Sequence, residues 1–186
     1  MGVHITDMAI EETEIDGLVV ITMKQVEDER GVVREFYRES AWVDMGLPSL
    51  GPWLQMNVTQ TQPGALRGLH GEQIHKLVAV VSGEAFGAYV DARTDSPTHG
   101  RVATVRLTAG RQVLVPKGVC NGFQSLGDSP TQYLYCFDSE WVPGMAGTAV
   151  NPLDPALGIE WPMPIDVEDR AHISEKDATL PAFKSL

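Results

Sequence analysis

From Lys76 to Phe137 the chain is cut into short strand-like stretches by turns that arrive every few residues. Lys76 to Val81 and Ala85 to Asp91 flank the tight turn Ser82-Gly83-Glu84. After the loop Thr94 to Gly100, Val102, Thr104 and Arg106 alternate with Ala103, Val105 and Leu107. Gly110 turns the chain into Gln112 to Val115, and Pro116-Lys117-Gly118 turns it again. Gly122 to Leu126 is short and mixed, Gly127 to Pro130 is a turn, and Thr131 to Phe137 is a Tyr-rich strand. Strands at this spacing, with few helical patterns between them, point to an all-β chain built as an antiparallel sandwich or barrel.

The flanks fit the same class. Gly17 to Lys24 reads as a strand, Glu27 to Gly31 as a charged turn, and Val32 to Arg38 as extended or mixed. Glu39 to Met45 is expected to be a short helix, and Gly46 to Pro52 a loop. Trp53 to Thr61 alternates Trp53, Gln55, Asn57 and Thr59 with Leu54, Met56 and Val58, which predicts a half-buried strand with a polar face. Asn151 to Pro164 is Pro-rich and irregular. The charged tail holds a short helix at Ser174 to Ala178, and such a tail frays or folds back over the body. A length of 186 residues fits one domain, 1–186, with an N-terminal arm of about 1–16 and a C-terminal tail of about 166–186.

Composition removes several functions. A net charge of -11 argues against a nucleic-acid groove. The apolar runs are too short to span a bilayer. Met1 to Glu12 is polar and acidic and lacks the basic-then-apolar order of a signal peptide, so a cytoplasmic location is the default expectation. Two cysteines, Cys120 and Cys136, support neither a disulfide framework nor a four-ligand zinc site, and are expected as buried thiols. His4, His99 and His172 have no ligand spacing and read as surface or loop residues.

Arg67, His70 and Lys76 bring a cation, a base and a second cation to the mouth of an expected hairpin. Arg can grip a phosphate or carboxylate with a fork of donors, His can move a proton near neutral pH, and Lys can steady an oxyanion. The alternative is three ordinary polar residues on a sheet, and spacing does not choose between the two.

Gly110, followed by five residues and Pro116-Lys117-Gly118-Val119-Cys120-Asn121, resembles the second motif of the cupin jelly roll, with Asn121 where a His would stand. The first motif's His-x-His pair is missing; His70 and His75 are too far apart to replace it. These losses argue against a metal site. The chain further resembles the dTDP-4-dehydrorhamnose 3,5-epimerase family. The segments that carry the likeness occur in order: Asp28-Glu29-Arg30-Gly31, Arg67-Gly68-Leu69-His70, Lys76-Leu77-Val78, Gly83-Glu84, Asp91-Ala92-Arg93, Ser96 to Gly100, Pro116-Lys117-Gly118, Asn151 to Pro162 and Ser174-Glu175-Lys176-Asp177.

The resemblance implies a cupin-type antiparallel β-sandwich with a short C-terminal helical tail. It also implies cofactor-free epimerisation at C3, C5 or both of a nucleotide-linked 4-keto-6-deoxyhexose. By that resemblance His70 is the base, Asp177 orients it, Tyr135 is the acid and Lys76 sits near the ketone oxygen. Arg30, Glu35, Gln55, Asn57 and Arg67 match substrate- and nucleotide-binding positions. Asn121 stands where the family carries a second histidine, and Trp141 near where it carries a second tyrosine. Neither can replace the group it displaces in proton transfer, so a single-site epimerase is the first expectation and inversion of both carbons the alternative. The expected assembly is a homodimer that exchanges N-terminal strands. A non-catalytic sugar-nucleotide-binding cupin and a ketoisomerase on the same scaffold are the rival readings.

Overall fold

The structure, a computed structural model, describes residues 2–185. In chain order the strands are β1 (His4–Thr6), β2 (Ala9–Glu12), β3 (Val19–Thr22), β4 (Lys24–Asp28), β5 (Gly31–Glu35), β6 (Gln55–Thr61) and β7 (Leu66–Glu72). They continue as β8 (Lys76–Ser82), β9 (Glu84–Asp91), β10 (Val102–Thr108), β11 (Arg111–Val115), β12 (Val119–Leu126), β13 (Thr131–Phe137) and β14 (Gly147–Ala149). Two short helices are α1 (Glu39–Asp44) and α2 (Glu175–Ala178). A five-stranded sheet runs β10-β9-β12-β7-β14, and a six-stranded sheet runs β2-β3-β11-β8-β13-β6. A small third sheet runs β1-β4-β5. The two large sheets form the expected cupin-type antiparallel β-sandwich. Among the described residues no helix is long and apolar enough to cross a membrane.

The alternation of side chains along each strand explains the layers. Val78 and Val80 of β8, Val113 and Val115 of β11, and Tyr133 of β13 meet Tyr89, Leu107 and Phe123 from the other sheet. The Phe123 and Tyr133 rings stack across the gap at 4.0 Å, nearly parallel. Each large apolar side chain so buried contributes about 1.5–3 kcal/mol. Part of each outer face is covered as well. Trp42 of α1 and Leu50 pack on Ile21, Leu77, Leu114 and Cys136. Val150 and Leu157, from the irregular stretch after β14, pack on Leu69, Ala88, Val90 and Cys120. Both cysteines are therefore buried and free.

Several expectations change in detail. The run around Arg67 is itself a strand, β7, between β12 and β14. β12 begins at Val119 and is buried along its whole length, longer than the mixed stretch from Gly122 suggests. Its polar residues are matched: Gln124 Nε2 donates to Gly64 O (3.1 Å) and Met163 O (3.0 Å), and Ser125 Oγ to Thr131 Oγ1 (2.8 Å). On β6 the faces are the reverse of the usual arrangement. The polar row turns into the sandwich mouth, while Leu54, Met56 and Val58 are 55–60% exposed. The arm is structured, with β2 paired to β3 and β1 to β4. The tail folds back: Leu66 N donates to His172 O at 2.7 Å, and α2 packs on β7.

Candidate active site

The sheets separate at one end into a cavity of about 400 Å³. Its wall on one side comes from β6, β8 and β13, on the other from β7 and β12, and the tail closes the rim. An irregularity in β7 sets its chemistry. His70 pairs with Asn121, yet Arg67 pairs with Phe123, so β7 spends one residue more than β12 over the same length. In a regular strand Arg67 and His70, three apart, would face opposite ways. The extra residue of this bulge turns both into the cavity. Gly68 makes it possible: its φ is +120°, and a Cβ there would lie 2.5 Å from Gly122 Cα.

His70 Nε2 lies 2.9 Å from Asp177 Oδ1. A carboxylate only accepts, so Nε2 carries the proton and Nδ1 keeps the free lone pair. Asp177 is brought here by α2, whose N-cap Ser174 accepts from Asp177 N at 3.0 Å. Its other oxygen accepts Gly68 N–H at 3.3 Å. Burial pushes the Asp177 carboxyl up, but the His70 hydrogen bond and charge, with Gly68 and Ser174, hold it below the usual carboxylate range. It is thus an anion throughout the neutral range.

Lys76 starts β8 on the inward face. Its ammonium donates to Asn121 Oδ1 (2.7 Å) and His70 O (3.1 Å) and forms an ion pair with Glu72. Tyr135 lines the same cavity between Tyr133 and Phe137, at ring distances of 4.9 and 5.8 Å. Burial pushes its phenol well up; the Arg67 charge opposes this and the Glu72 and Asp177 charges add to it. Tyr135 therefore holds its proton. Tyr133, on the same face, is spent in the core.

The other expected residues divide. Arg67 and Asn57 line the cavity, and Arg67 Nε donates to Thr61 Oγ1 at 2.9 Å. Trp141 lines it too, and its backbone N–H donates to Gln55 Oε1 at 2.8 Å, while Gln55 Nε2 reaches Asn57 Oδ1 at 3.3 Å. Gln55 thus sits just behind the wall. Arg30 and Glu35 do not line this cavity. Arg30 stands at the tip of the β4–β5 hairpin paired with Asp28, and Glu35 is paired with Arg38. His75 is held by Asp138, its Nδ1 at 2.7 Å, away from the cavity. Sequence reasoning missed Glu72, Arg170 and His172. Glu72 follows His70 by two residues and so shares its face, a signal available from β periodicity once β7 is known as a strand. Arg170 and His172 reach the rim only because the tail folds back. Among the described residues no three His, Cys, Asp or Glu side chains gather as a metal site.

Residues 12–185 match the family model described as dTDP-4-dehydrorhamnose 3,5-epimerase. The chain belongs to this family. It is therefore an isomerase of the epimerase type. The dTDP-4-dehydrorhamnose 3,5-epimerase of Methanothermobacter thermautotrophicus is 33% identical over 174 residues, covering 89% of each chain. Among solved structures, a dTDP-6-deoxy-D-glucose-3,5-epimerase from Legionella pneumophila in complex with dTDP-4-keto-L-rhamnose superposes with a TM-score of 0.84 at 33% identity, covering 96% of this chain and 94% of that one. ChmJ, a 3'-monoepimerase from Streptomyces bikiniensis in complex with dTDP-quinovose, does so with a TM-score of 0.81 at 31% identity, covering 92% and 86%.

Proposed function

We propose that this epimerase inverts a carbon next to the C4 ketone of a dTDP-linked 4-keto-6-deoxyhexose without a cofactor. The observation that carries the reading is the His70–Asp177 pair at 2.9 Å in a cavity that also holds the protonated Tyr135. A C–H beside a ketone is acidified by enolate formation. His70 Nδ1 takes that proton, and the Asp177 carboxylate stabilises the imidazolium. Lys76 supplies charge to the ketone oxygen. Tyr135 returns a proton to the opposite face, and solvent resets both groups. Arg67, Asn57 and Gln55 hold the nucleotide end.

The two carbons are treated unequally. Asn121 and Trp141 carry no titratable proton, so one inversion runs much faster than the other. A monoepimerase among the similar structures supports this reading.

The chain acts as one cupin-like domain in a homodimer. Ile5, Val26 and Val33 are register partners and form an exposed apolar row across β1, β4 and β5. Met56 and Val58 expose a second apolar face. Strand exchange that covers these faces also brings Arg30 and Glu35 to the neighbouring cavity. Incubation with dTDP-4-keto-6-deoxyglucose in heavy water, read by proton NMR, tests the reaction: deuterium enters next to the ketone, and no incorporation at either carbon overturns it.

A further inference from the structure

The ammonium of Lys76 has three protons, and three oxygens surround it: Asn121 Oδ1, His70 O and Glu72 Oε2. The lysine side chain is only 6% exposed. Two of the protons go to directed hydrogen bonds, and the Glu72 carboxylate stands as an ion pair on the side that remains. One of the three oxygens must yield before Lys76 can serve a ketone oxygen.

The three are held differently. Asn121 and the His70 carbonyl accept directed hydrogen bonds at 2.7 and 3.1 Å. Glu72 Oε2 is buried and takes no hydrogen bond of proper geometry among the described residues; it is held by the charge of Lys76. Glu72 also lines the cavity, two residues from His70 on β7, with its side chain 22% exposed. Its carboxylate is carried on a side chain that borders the cavity and can rotate about its own bonds, whereas the His70 carbonyl is fixed in the sheet. The other cavity carboxylate, Asp177, is already committed to His70 and Gly68.

We propose that Glu72 is a positioning residue that acts through Lys76: it is the resting counterion of the ammonium and surrenders that place to the ketone oxygen as the enolate forms. The inference rests on the epimerase reading above. A neutral ketone competes poorly with a carboxylate for an ammonium. An enolate carries the same charge as the carboxylate it replaces, so the exchange leaves the buried charge balanced. Lys76 is then recruited by the developing anion more than by the bound ketone, and only interactions of that kind lower the barrier from the bound state. The carboxylate also spares the folded protein an unpaired buried ammonium.

The test is a cycle of Glu72→Gln, Lys76→Met and the double variant, assayed by exchange of substrate α-protons and by thermal melting. The glutamine keeps the shape and removes the charge. Lys76 becomes open to the ketone as well as the enolate. kcat/KM is expected to rise about tenfold, the scale of one charge-assisted hydrogen bond, and the gain falls in KM. In the Lys76→Met background the same substitution gives no gain. Glu72→Gln melts below wild type, and the double variant recovers part of that loss because neither charge is left alone. A lower or unchanged kcat/KM in folded Glu72→Gln overturns the proposal, as does a gain that persists without Lys76. Should Glu72→Gln fail to fold, the double variant still decides: a double variant that also fails to fold overturns the counterion pairing. A wild type that exchanges neither carbon is a different failure, that of the epimerase reading; the melting temperatures then still test the pairing.

Discussion

Replacing Gly68 by alanine should damage the site through geometry alone, since it removes no functional group. The added Cβ would lie 2.5 Å from Gly122 Cα and 2.9 Å from Asn121 O. Comfortable carbon contacts begin near 3.5 Å, so β7 and β12 must part by about 1 Å. The φ of +120° adds strain for any residue with a Cβ. Overpacking costs about 1–3 kcal/mol and the backbone conformation a further 1–3 kcal/mol. A loss near 4 kcal/mol lowers the melting temperature of a chain this size by roughly 8–16 °C. Because the bulge carries Arg67 on one side and His70 on the other, a shift of about 1 Å also costs about a hundredfold in rate. Thermal denaturation and α-proton exchange read the two effects separately. Gly127→Ala is the control: its φ is +74°, but nothing lies within 4 Å of the new Cβ, so strain remains without the clash. A Gly68→Ala protein that melts and exchanges like wild type would refute the account of the bulge.

Three further outcomes follow from the geometry. Asp177→Asn keeps the shape but removes the charge that fixes the His70 tautomer, so exchange falls by about two orders of magnitude or more in a protein that circular dichroism shows folded. Asn121→His with Trp141→Tyr should speed the slower of the two carbons more than the faster, read by site-resolved deuterium incorporation; equal rates at both carbons in wild type would refute the unequal treatment. Asp91 is fully buried, and although burial pushes its carboxyl up, hydrogen bonds from Arg93, Ser96 and Thr98 hold it far below 3.8. A depressed carboxyl, here as at Asp177, stabilises the fold fully above its unfolded value and loses that contribution as pH falls through the folded one. Urea stability should therefore drop below about pH 4, less steeply in Asp91→Asn, while Asp91→Ala at neutral pH loses about 3–5 kcal/mol.

Much of this arrangement was legible in the chain. The turns between Lys76 and Phe137 are Gly- and Pro-marked, so the strands of the sandwich could be read between them, and the short helix of the tail was legible at Ser174 to Ala178. Other parts could not be read because tertiary contacts make them. Gly68 and the polar run of β12 look like loop until Gly122 packs on Gly68 and Gln124 finds its carbonyls. Met56 and Val58 look like core, yet the alternation of β6 says only that its two faces differ, and the polar one turns inward to the cavity. Glu72 was hidden for the same reason as β7. Arg170 and His172 lie about 100 residues from His70, and no local pattern announces that the tail returns.

The central claim, that His70 moves the proton, is tested most directly by site-resolved deuterium incorporation at C3 and C5 of dTDP-4-keto-6-deoxyglucose, followed over time for wild type and His70→Ala. Wild type should label one carbon much faster than the other. His70→Ala, folded by circular dichroism, should label neither above the uncatalysed background. Labelling by folded His70→Ala at the wild-type rate would contradict the account.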